Sequence, residues 1–209
     1  MNNLVYDTEL TNINYLGKVP YLEAKLKFDP VTYKHSINVA RLCLQLLKFS
    51  DYSVDEDLIY YVGLFHDIGK TKITTHILQK NCKLTSFEFN QMMEHTTLGY
   101  NILLKHNFPT EVLLAAQLHH EKYDGTGYPL GLIANETPIV ARIVSICDVF
   151  DALTSDRPYR KAYSMGEALQ IMSNSTGQFD PELFSIFISK ISRIVYSSEL
   201  LKRNGDVIV

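Results

Sequence analysis

Helical periodicity extends along almost the whole chain, and no other feature limits its fold as strongly. Between Val31 and Leu47, apolar residues recur three or four positions apart, as on one face of an α-helix. The alternation of apolar and polar residues that is typical of strands is scarce. With 209 residues, of which 46% are hydrophobic, the chain is long enough to bury one sizeable core. The sequence therefore predicts an all-α domain, built as a multi-helix bundle.

Residues that begin helices occur at five points along the chain. They are Ser53 with Glu56, Thr85 with Glu88, Ser164 with Glu167, Thr137 before Pro138, and Asp180 before Pro181. We expect one helical segment from Phe87 to Leu104, and we expect Gly69 to end the helix that carries Phe65. Residues 71–83 and 121–137 lack helical periodicity, and the second stretch is long enough to suggest a functional loop.

The same pattern predicts the organisation of the chain. We expect an N-terminal extension (residues 1–25), one helical domain (26–195) and a C-terminal tail (196–209), with no internal repeat. Residues 204–209 have the composition of a short strand.

Charge, hydropathy and cysteine usage exclude several classes of protein. Lys and Arg number 20 against 23 Asp and Glu, and this net charge of -3 disfavours binding to long nucleic acid. No apolar run reaches the roughly 20 residues of a membrane-spanning helix. Cys43, Cys82 and Cys147 form no CxxC pair, as is typical of free thiols in a reducing compartment. A cytoplasmic location without a membrane partner is therefore expected.

Histidines and aspartates cluster at helix ends and on apolar helices. The set consists of His35, His66, Asp67, His95, His119, His120 and Asp148. Any one of these residues alone would fit a structural role. The remaining two histidines, His76 and His106, are not expected to bind metal. Together they predict a metal site, because mixed imidazole and carboxylate ligands suit iron, manganese, zinc, nickel or copper better than calcium or magnesium. Seven side chains are too many for one ion, so two ions bridged by a carboxylate are expected.

Six motifs occur in a fixed order between about Val31 and Ile191. They read HSINVA, HDIGK, KLTSFEF, HHEKYDGTGYPLGL, ARIVSICDVFDALTSDRPYRKAYS and GQFDPELF. In this order they resemble the HD-GYP subfamily of HD-domain metal-dependent phosphohydrolases, and they cover most of the chain. The resemblance implies an HD-domain helical bundle with a metal site in its core.

The resemblance also implies an activity and a cofactor. Members of this subfamily degrade cyclic di-GMP to pGpG, and some continue to GMP, by means of a hydroxide held between two divalent ions. Iron or manganese is expected, with zinc, nickel or cobalt as alternatives. By position, one site is expected to comprise His35, His66, Asp67 and Asp148, and the other His95, His119 and His120. Asp67 is expected to bridge the two ions.

Substrate contacts are implied position by position. Lys70 matches a lysine that contacts the phosphate or the leaving group, so Asp67 and Lys70 are expected to be catalytic. Arg157 and Arg160 match phosphate-binding positions. Gly127, Tyr128 and Pro129 form the signature loop, in which Tyr128 matches a residue that shapes the nucleotide pocket.

The chain departs from the subfamily pattern at three places, which bear on the number of metal ions and on the entrance to the active site. Some members carry a Glu four residues before the first ligand histidine and hold a third metal, whereas Val31 stands there in this chain. We therefore expect two ions. The stretch from Thr71 to Lys83 lacks the usual prolines, which could alter substrate access, and Tyr123 replaces a common Trp.

Other functions stay open on the sequence. The substrate could be another cyclic dinucleotide or guanosine tetraphosphate. The domain could instead be a catalytically weak binding or signalling module that pairs with a protein such as a diguanylate cyclase. A DNA-binding helical domain is disfavoured because no basic recognition stretch is present. The sequence does not fix the oligomeric state.

Overall fold

The computed structural model describes residues 15–156 and 160–203, with side chains described as far as residue 195. Helices dominate this part of the chain and confirm the predicted all-α class. Asp124 and Ile133 form an isolated bridge of extended backbone. Arg157 and the short strand predicted at 204–209 lie outside the described residues.

Ten α-helices follow one another in the described part of the chain. They are α1 (Val19–Leu26), α2 (Pro30–Lys48), α3 (Glu56–Phe65), α4 (Thr75–Leu78), α5 (Ser86–Met93), α6 (His95–Lys105), α7 (Thr110–Leu118), α8 (Ile139–Thr154), α9 (Met165–Asn174) and α10 (Pro181–Arg203). Short 3-10 segments lie at Leu16–Lys18, Ile68–Lys72 and Ala134–Glu136.

The long helix α2 lies at the centre of the bundle. It packs against α3, α8 and α10, while α7 packs against α3, α6 and α8. The core between these helices contains fully buried side chains such as Phe65, Ile143, Ile146 and Phe187. Because α2 and α8 are in contact, residues more than 100 positions apart in sequence become neighbours.

Three of the five predicted helix starts are confirmed. The side chains of Thr85 and Ser164 cap α5 and α9 within complete capping boxes. Asp180 accepts hydrogen bonds from the backbone N–H groups of Glu182 and Leu183 at 2.9 and 3.1 Å.

Two predicted caps are wrong. The cap of α3 is Asp55 and not Ser53, because the Asp55 carboxylate reaches the N–H of Leu58 at 2.9 Å. Helix α8 begins at Ile139, since Pro138 has an extended backbone (φ -56°, ψ 147°) and itself takes the N-cap position that was assigned to Thr137.

The segment predicted as one helix from Phe87 to Leu104 is divided at Glu94 into α5 and α6. This break makes His95 the first residue of α6. The imidazole is thereby presented at a helix end, where it can meet side chains from other helices.

Gly69 does not end α3, as the sequence predicts, but lies inside the 3-10 segment Ile68–Lys72. A Cβ at this position would lie 1.8 Å from the carbonyl oxygen of His95 and 2.6 Å from the N–H nitrogen of Gly99. The glycine is therefore required for close contact between this segment and α6, and not for a left-handed backbone.

The predicted domain bounds stay predictions. Helix α1 extends across the predicted boundary between residues 25 and 26. Leu22 and Leu26 of this helix are buried in the core.

Over the described ranges, the structure has no helix with the length and apolar character that a membrane crossing requires.

We predict that Gly69→Ala lowers the free energy of unfolding by at least about 2 kcal/mol, because the new methyl group has to displace the backbone of α6. Gly166→Ala is the matched control, since nothing lies within 4 Å of a Cβ there. We expect Gly166→Ala to be neutral or to stabilise by up to about 1 kcal/mol. Urea unfolding of both variants measures the difference, and equal effects would contradict the close-contact explanation.

Candidate metal centre

The seven predicted ligand residues converge in the middle of the bundle. His35 lies on α2, Asp148 on α8, and the others stand at the ends of α3, α6 and α7. All of them are buried except His120, which is partly exposed. Their side-chain donor atoms fall into groups in which all members lie within 4.8 Å of one another.

The first group consists of His35, His66 and Asp148. The Nε2 atom of His35 lies 2.9 Å from Oδ1 of Asp148, and the Nε2 atom of His66 lies 4.0 Å from the same oxygen. These three donors come from three different helix regions, so only the packing of α2, α3 and α8 brings them together.

The second group consists of His95, His119 and His120. The Nε2 atoms of His95 and His119 are 3.3 Å apart. The rings of His119 and His120 have centroids 4.1 Å apart. This group therefore offers three imidazoles and no carboxylate of its own.

Asp67 lies between the two groups. Its Oδ2 is 3.3 Å from Nε2 of His66 and 3.8 Å from Nε2 of His35. Its Oδ1 is 3.4 Å from Nε2 of His95 and 3.8 Å from Nε2 of His119. One carboxylate thus turns one oxygen to each group, which is the arrangement of a bridging ligand.

Backbone carbonyls fix the orientation of three imidazoles. The Nδ1 atoms of His66, His95 and His119 lie 2.7, 2.6 and 3.1 Å from the carbonyl oxygens of residues 63, 92 and 115. A carbonyl oxygen only accepts, so Nδ1 carries the proton and Nε2 presents its lone pair to the centre of the cluster. This hydrogen bond at the far nitrogen is typical of histidines that bind metals.

Unpaired buried atoms test whether the residues fit a metal. Nε2 of His66 and Oδ1 of Asp67 are buried without a hydrogen-bond partner. Leaving such atoms unpaired costs about 1 to 3 kcal/mol each. A divalent cation between the donors would satisfy both, so the residues present fit a metal centre. The mixture of imidazole and carboxylate favours a transition metal over calcium or magnesium.

The protonation states of His95, His119 and His120 agree with a role in metal binding. Burial lowers the pKa of His95 to about 4 and that of His120 to about 3, and burial also lowers the pKa of His119 well below its usual value. At neutral pH these imidazoles are uncharged, as metal ligands must be.

The carboxylates are ionised in spite of their burial. Burial opposes the charge of Asp67, but the Lys70 ammonium and His66 hold its pKa well below the usual range. Burial likewise opposes the charge of Asp148, but His35 keeps its pKa low. Burial disfavours the imidazolium of His35, yet the nearby carboxylates of Asp148 and Asp151 raise its pKa to about 9.

Asp151 and Asn38, which the sequence did not predict as site residues, support the first group. Oδ2 of Asp151 lies 2.7 Å from Nδ1 of His35, and the amide of Asn38 donates to Oδ1 of Asp151 at 2.9 Å. Both residues are buried. One signal was available: Asp151 follows Asp148 by three positions on a predicted helix, and residues at this spacing share a face.

The long loop after α7 is organised by Glu121, a third residue whose role the sequence did not predict. Its buried carboxylate accepts hydrogen bonds from the N–H groups of Leu130 and Leu132 at 2.6 and 3.1 Å. A Cβ on Gly127 would lie 2.3 Å from the backbone nitrogen of Lys122, so glycine permits the loop to fold back on itself.

This fold-back brings the signature loop, residues 127–129, against the cluster. The ring of Tyr128 packs on that of His120 with centroids 4.8 Å apart, and Pro129 follows it in the chain. Phe89 makes an edge-on contact with Tyr128, with ring centroids 6.3 Å apart. Tyr128 therefore covers the second group of donors.

The predicted basic residues divide into three cases. The ammonium of Lys70 donates to Oδ2 of Asp67 and thus joins the cluster. The guanidinium of Arg160 donates to the carbonyls of Ala152 and Leu153 at the end of α8 and lies over the ring of Tyr163. Its role in phosphate binding stays a prediction, as does that of Arg157 outside the described residues.

Two histidines that received no role lie elsewhere. His76 is exposed, and its Nε2 lies 3.9 Å from a Glu88 carboxylate oxygen. The ring of His106 packs against Tyr21, with centroids 5.6 Å apart. Neither is among the groups of donor atoms in the described residues.

Several named proteins are related to this chain in sequence. A cyclic di-GMP phosphodiesterase of Pseudomonas aeruginosa is 40% identical over 167 residues, which cover 78% of this chain and 40% of that protein. A 3'3'-cGAMP-specific phosphodiesterase of Vibrio cholerae is 37% identical over 170 residues, which cover 80% of this chain and 39% of that protein. The chain thus spans about two fifths of the length of these relatives.

Solved structures share the fold. An HDG"Y"P protein from Bdellovibrio bacteriovorus superimposes with a TM-score of 0.60 at 20% identity, covering 90% of this chain and 58% of that chain. The HD domain of the L. monocytogenes phosphodiesterase PgpH, solved in complex with cyclic-di-AMP, superimposes with a TM-score of 0.56 at 19% identity. That match covers 90% of this chain and 98% of the other.

A family model described as HD domain matches residues 22–183, which is most of the chain. This range contains every residue of the buried cluster. The resemblance to the HD-GYP subfamily drawn from the six motifs is confirmed, and the chain belongs to the HD domain family.

Proposed function

We propose that this chain is a metal-dependent phosphodiesterase that hydrolyses cyclic di-GMP to pGpG, with GMP as a further product to be tested. The observation that carries the proposal is the position of Asp67, whose two carboxylate oxygens face two separate groups of donor atoms. The names of relatives at 37 to 42% identity support the substrate class.

The proposed cofactor is a pair of divalent ions, with iron or manganese expected. His35, His66 and Asp148 would hold one ion, and His95, His119 and His120 the other, with Asp67 shared between them. Such a pair supplies Lewis acidity that activates water and neutralises charge on the phosphoryl oxygens.

The residues of the chain contribute binding, orientation and the exclusion of water. The ammonium of Lys70 lies beside Asp67, and 22% of its side chain is exposed, so an entering phosphate can exchange contacts with it. Tyr128 lies over His120 and offers a ring face on which a base could stack. Burial of the donor groups strengthens every electrostatic interaction made there.

Other cyclic dinucleotides are the second candidate. A relative at 37% identity is named as specific for 3'3'-cGAMP, and a structure with the same fold was solved with cyclic-di-AMP. These ligands share a cyclic sugar–phosphate ring and differ in their bases. A weak binding or signalling module, with a partner such as a diguanylate cyclase, is disfavoured because both groups of donors are complete.

Hydrolysis by the metal-loaded protein tests the proposal. We expect manganese- or iron-loaded protein to convert cyclic di-GMP to pGpG, and Asp67→Ala to lower the rate at least about 100-fold because both groups lose their shared oxygen ligand. Product chromatography measures the rate, with 3'3'-cGAMP and cyclic-di-AMP assayed in parallel. Asp57→Ala, at an exposed position of α3, is the matched control. Equal rates in Asp67→Ala and the parent would contradict the proposal.

Asp151 offers a second prediction, since it holds Nδ1 of His35 at 2.7 Å. We expect Asp151→Asn to weaken metal binding about 10- to 100-fold at the first group only, because the imidazole loses an anionic partner. Metal content after dialysis against graded free manganese measures this as a loss of one ion per chain before the other. Asp57→Asn is the control, and unchanged binding in Asp151→Asn would count against a positioning role.

A further inference from the structure

A cavity lined by residues of α1 and α2 opens next to Lys70. This basic cleft encloses about 220 Å³ between the end of α1, the first turn of α2 and the segment that follows Asp67. Its lining includes Lys25, Phe28, Asp29, Thr32, Lys70 and Lys72.

The cleft is basic although the chain as a whole has a net charge of -3. Its lining contains three lysines and a single carboxylate, that of Asp29. The carboxylate is already used as the cap of α2, where it accepts hydrogen bonds from the hydroxyl of Thr32 and the N–H of Val31. Three lysines therefore line the cleft together with one carboxylate, whose oxygens accept hydrogen bonds from its own helix.

Two of these lysines have no acidic partner among the described residues. Lys72 makes no ion pair there, and the Lys25 ammonium lies 4.9 Å from the ring centroid of Tyr21. Lys70, by contrast, is bound to Asp67. Lysines without carboxylate partners around one cavity are suited to an anionic ligand, and a phosphate needs no base-specific geometry from them.

Two residues connect the cleft to the metal centre. Lys70 lines the cleft and donates to Oδ2 of Asp67. Thr32 lines it from α2, and His35 follows three residues later, so the two side chains share one face of the helix. A phosphate bound at Lys70 would therefore lie beside both the cleft and the metal centre.

Phe28 gives the cleft an aromatic edge. It stands in the turn between α1 and α2, and it is 90% exposed, although it also lines the cavity. An exposed phenylalanine beside lysines has the chemistry of sites that stack a base and neutralise its phosphate.

We propose that the basic cleft is a second substrate subsite, in which Lys25 and Lys72 hold the phosphate that is not being cleaved and Phe28 covers the adjoining base. This inference rests on the proposed function, because the occupant is the far nucleotide of a cyclic dinucleotide. The volume is below the roughly 300 to 1,000 Å³ of sites that enclose a drug-sized ligand, which suits half of a dinucleotide and not the whole.

The subsite can be tested separately from hydrolysis. Lys72→Gln and Phe28→Leu change exposed side chains and Lys25→Gln a partly buried one, and thermal unfolding checks that each variant folds. Lys48→Gln is the matched control, since Lys48 lies on α2 at the end opposite to the cleft, about 24 Å from Thr32 along the helix. Equilibrium dialysis of cyclic di-GMP against chelator-treated protein at low salt measures binding without turnover.

We expect each lysine variant to raise the dissociation constant about 3- to 10-fold, the Lys25→Gln/Lys72→Gln double variant to raise it further, and Lys48→Gln to leave it unchanged. In metal-loaded protein the same variants should raise KM for cyclic di-GMP with kcat nearly constant. They should not alter hydrolysis of bis(p-nitrophenyl) phosphate, which is too small to reach the cleft from the metal centre.

Each outcome decides between the two proposals. Weakened dialysis binding in the cleft variants supports the subsite, even if the parent hydrolyses no dinucleotide and the proposed activity fails. Equal dissociation constants in parent, cleft variants and control overturn the subsite, whether or not hydrolysis is observed. Absence of binding by the chelator-treated parent at about 1 mM ligand overturns it as well.

Discussion

The shared carboxylate of Asp67 is the constraint on which the rest of this structure depends. Its two oxygens lie within 3.3 to 3.8 Å of imidazole nitrogens from two separate groups. Burying carboxylates and imidazoles together costs several kcal/mol unless their charges and lone pairs are matched. Lys70 and a bound cation can supply that match, so the same atoms that would be costly in an empty core become the ligands of a centre.

Short contacts elsewhere in the bundle keep these donors in place. Gly69 permits the segment after Asp67 to lie against the first turn of α6, which carries His95. Carbonyl oxygens three or four positions earlier in the chain orient three imidazoles, and Asp151 orients His35 from α8. The carboxylate of Glu121 organises the loop that lays Tyr128 over the cluster. Packing, backbone geometry and ligand orientation are thus parts of one arrangement.

The all-α class and the seven clustered residues were predictable from the sequence, because periodicity and motif order are local properties. The supporting residues were not predictable in the same way. Asp151 and His35 are 116 positions apart, so their hydrogen bond depends on the packing of α2 against α8. The cap of α3 is Asp55 and not Ser53: both residue types cap helices, and only the structure shows which of them reaches the N–H of Leu58. The basic cleft is formed by α1, α2 and the segment after Asp67, which are separate in the sequence, so no single stretch of sequence predicts it.

The net charge of -3 therefore says little about the ligand that this domain prefers. Acidic groups are concentrated where cations would bind, and lysines line the adjoining cleft, so the local field differs from that of the whole chain. The central claim is that one carboxylate joins two metal ions. Anomalous scattering from crystals of the manganese-loaded protein tests it directly. The account predicts two peaks about 3.5 to 4 Å apart on either side of the Asp67 carboxylate, whereas a single peak, or two peaks that do not share Asp67, would contradict it.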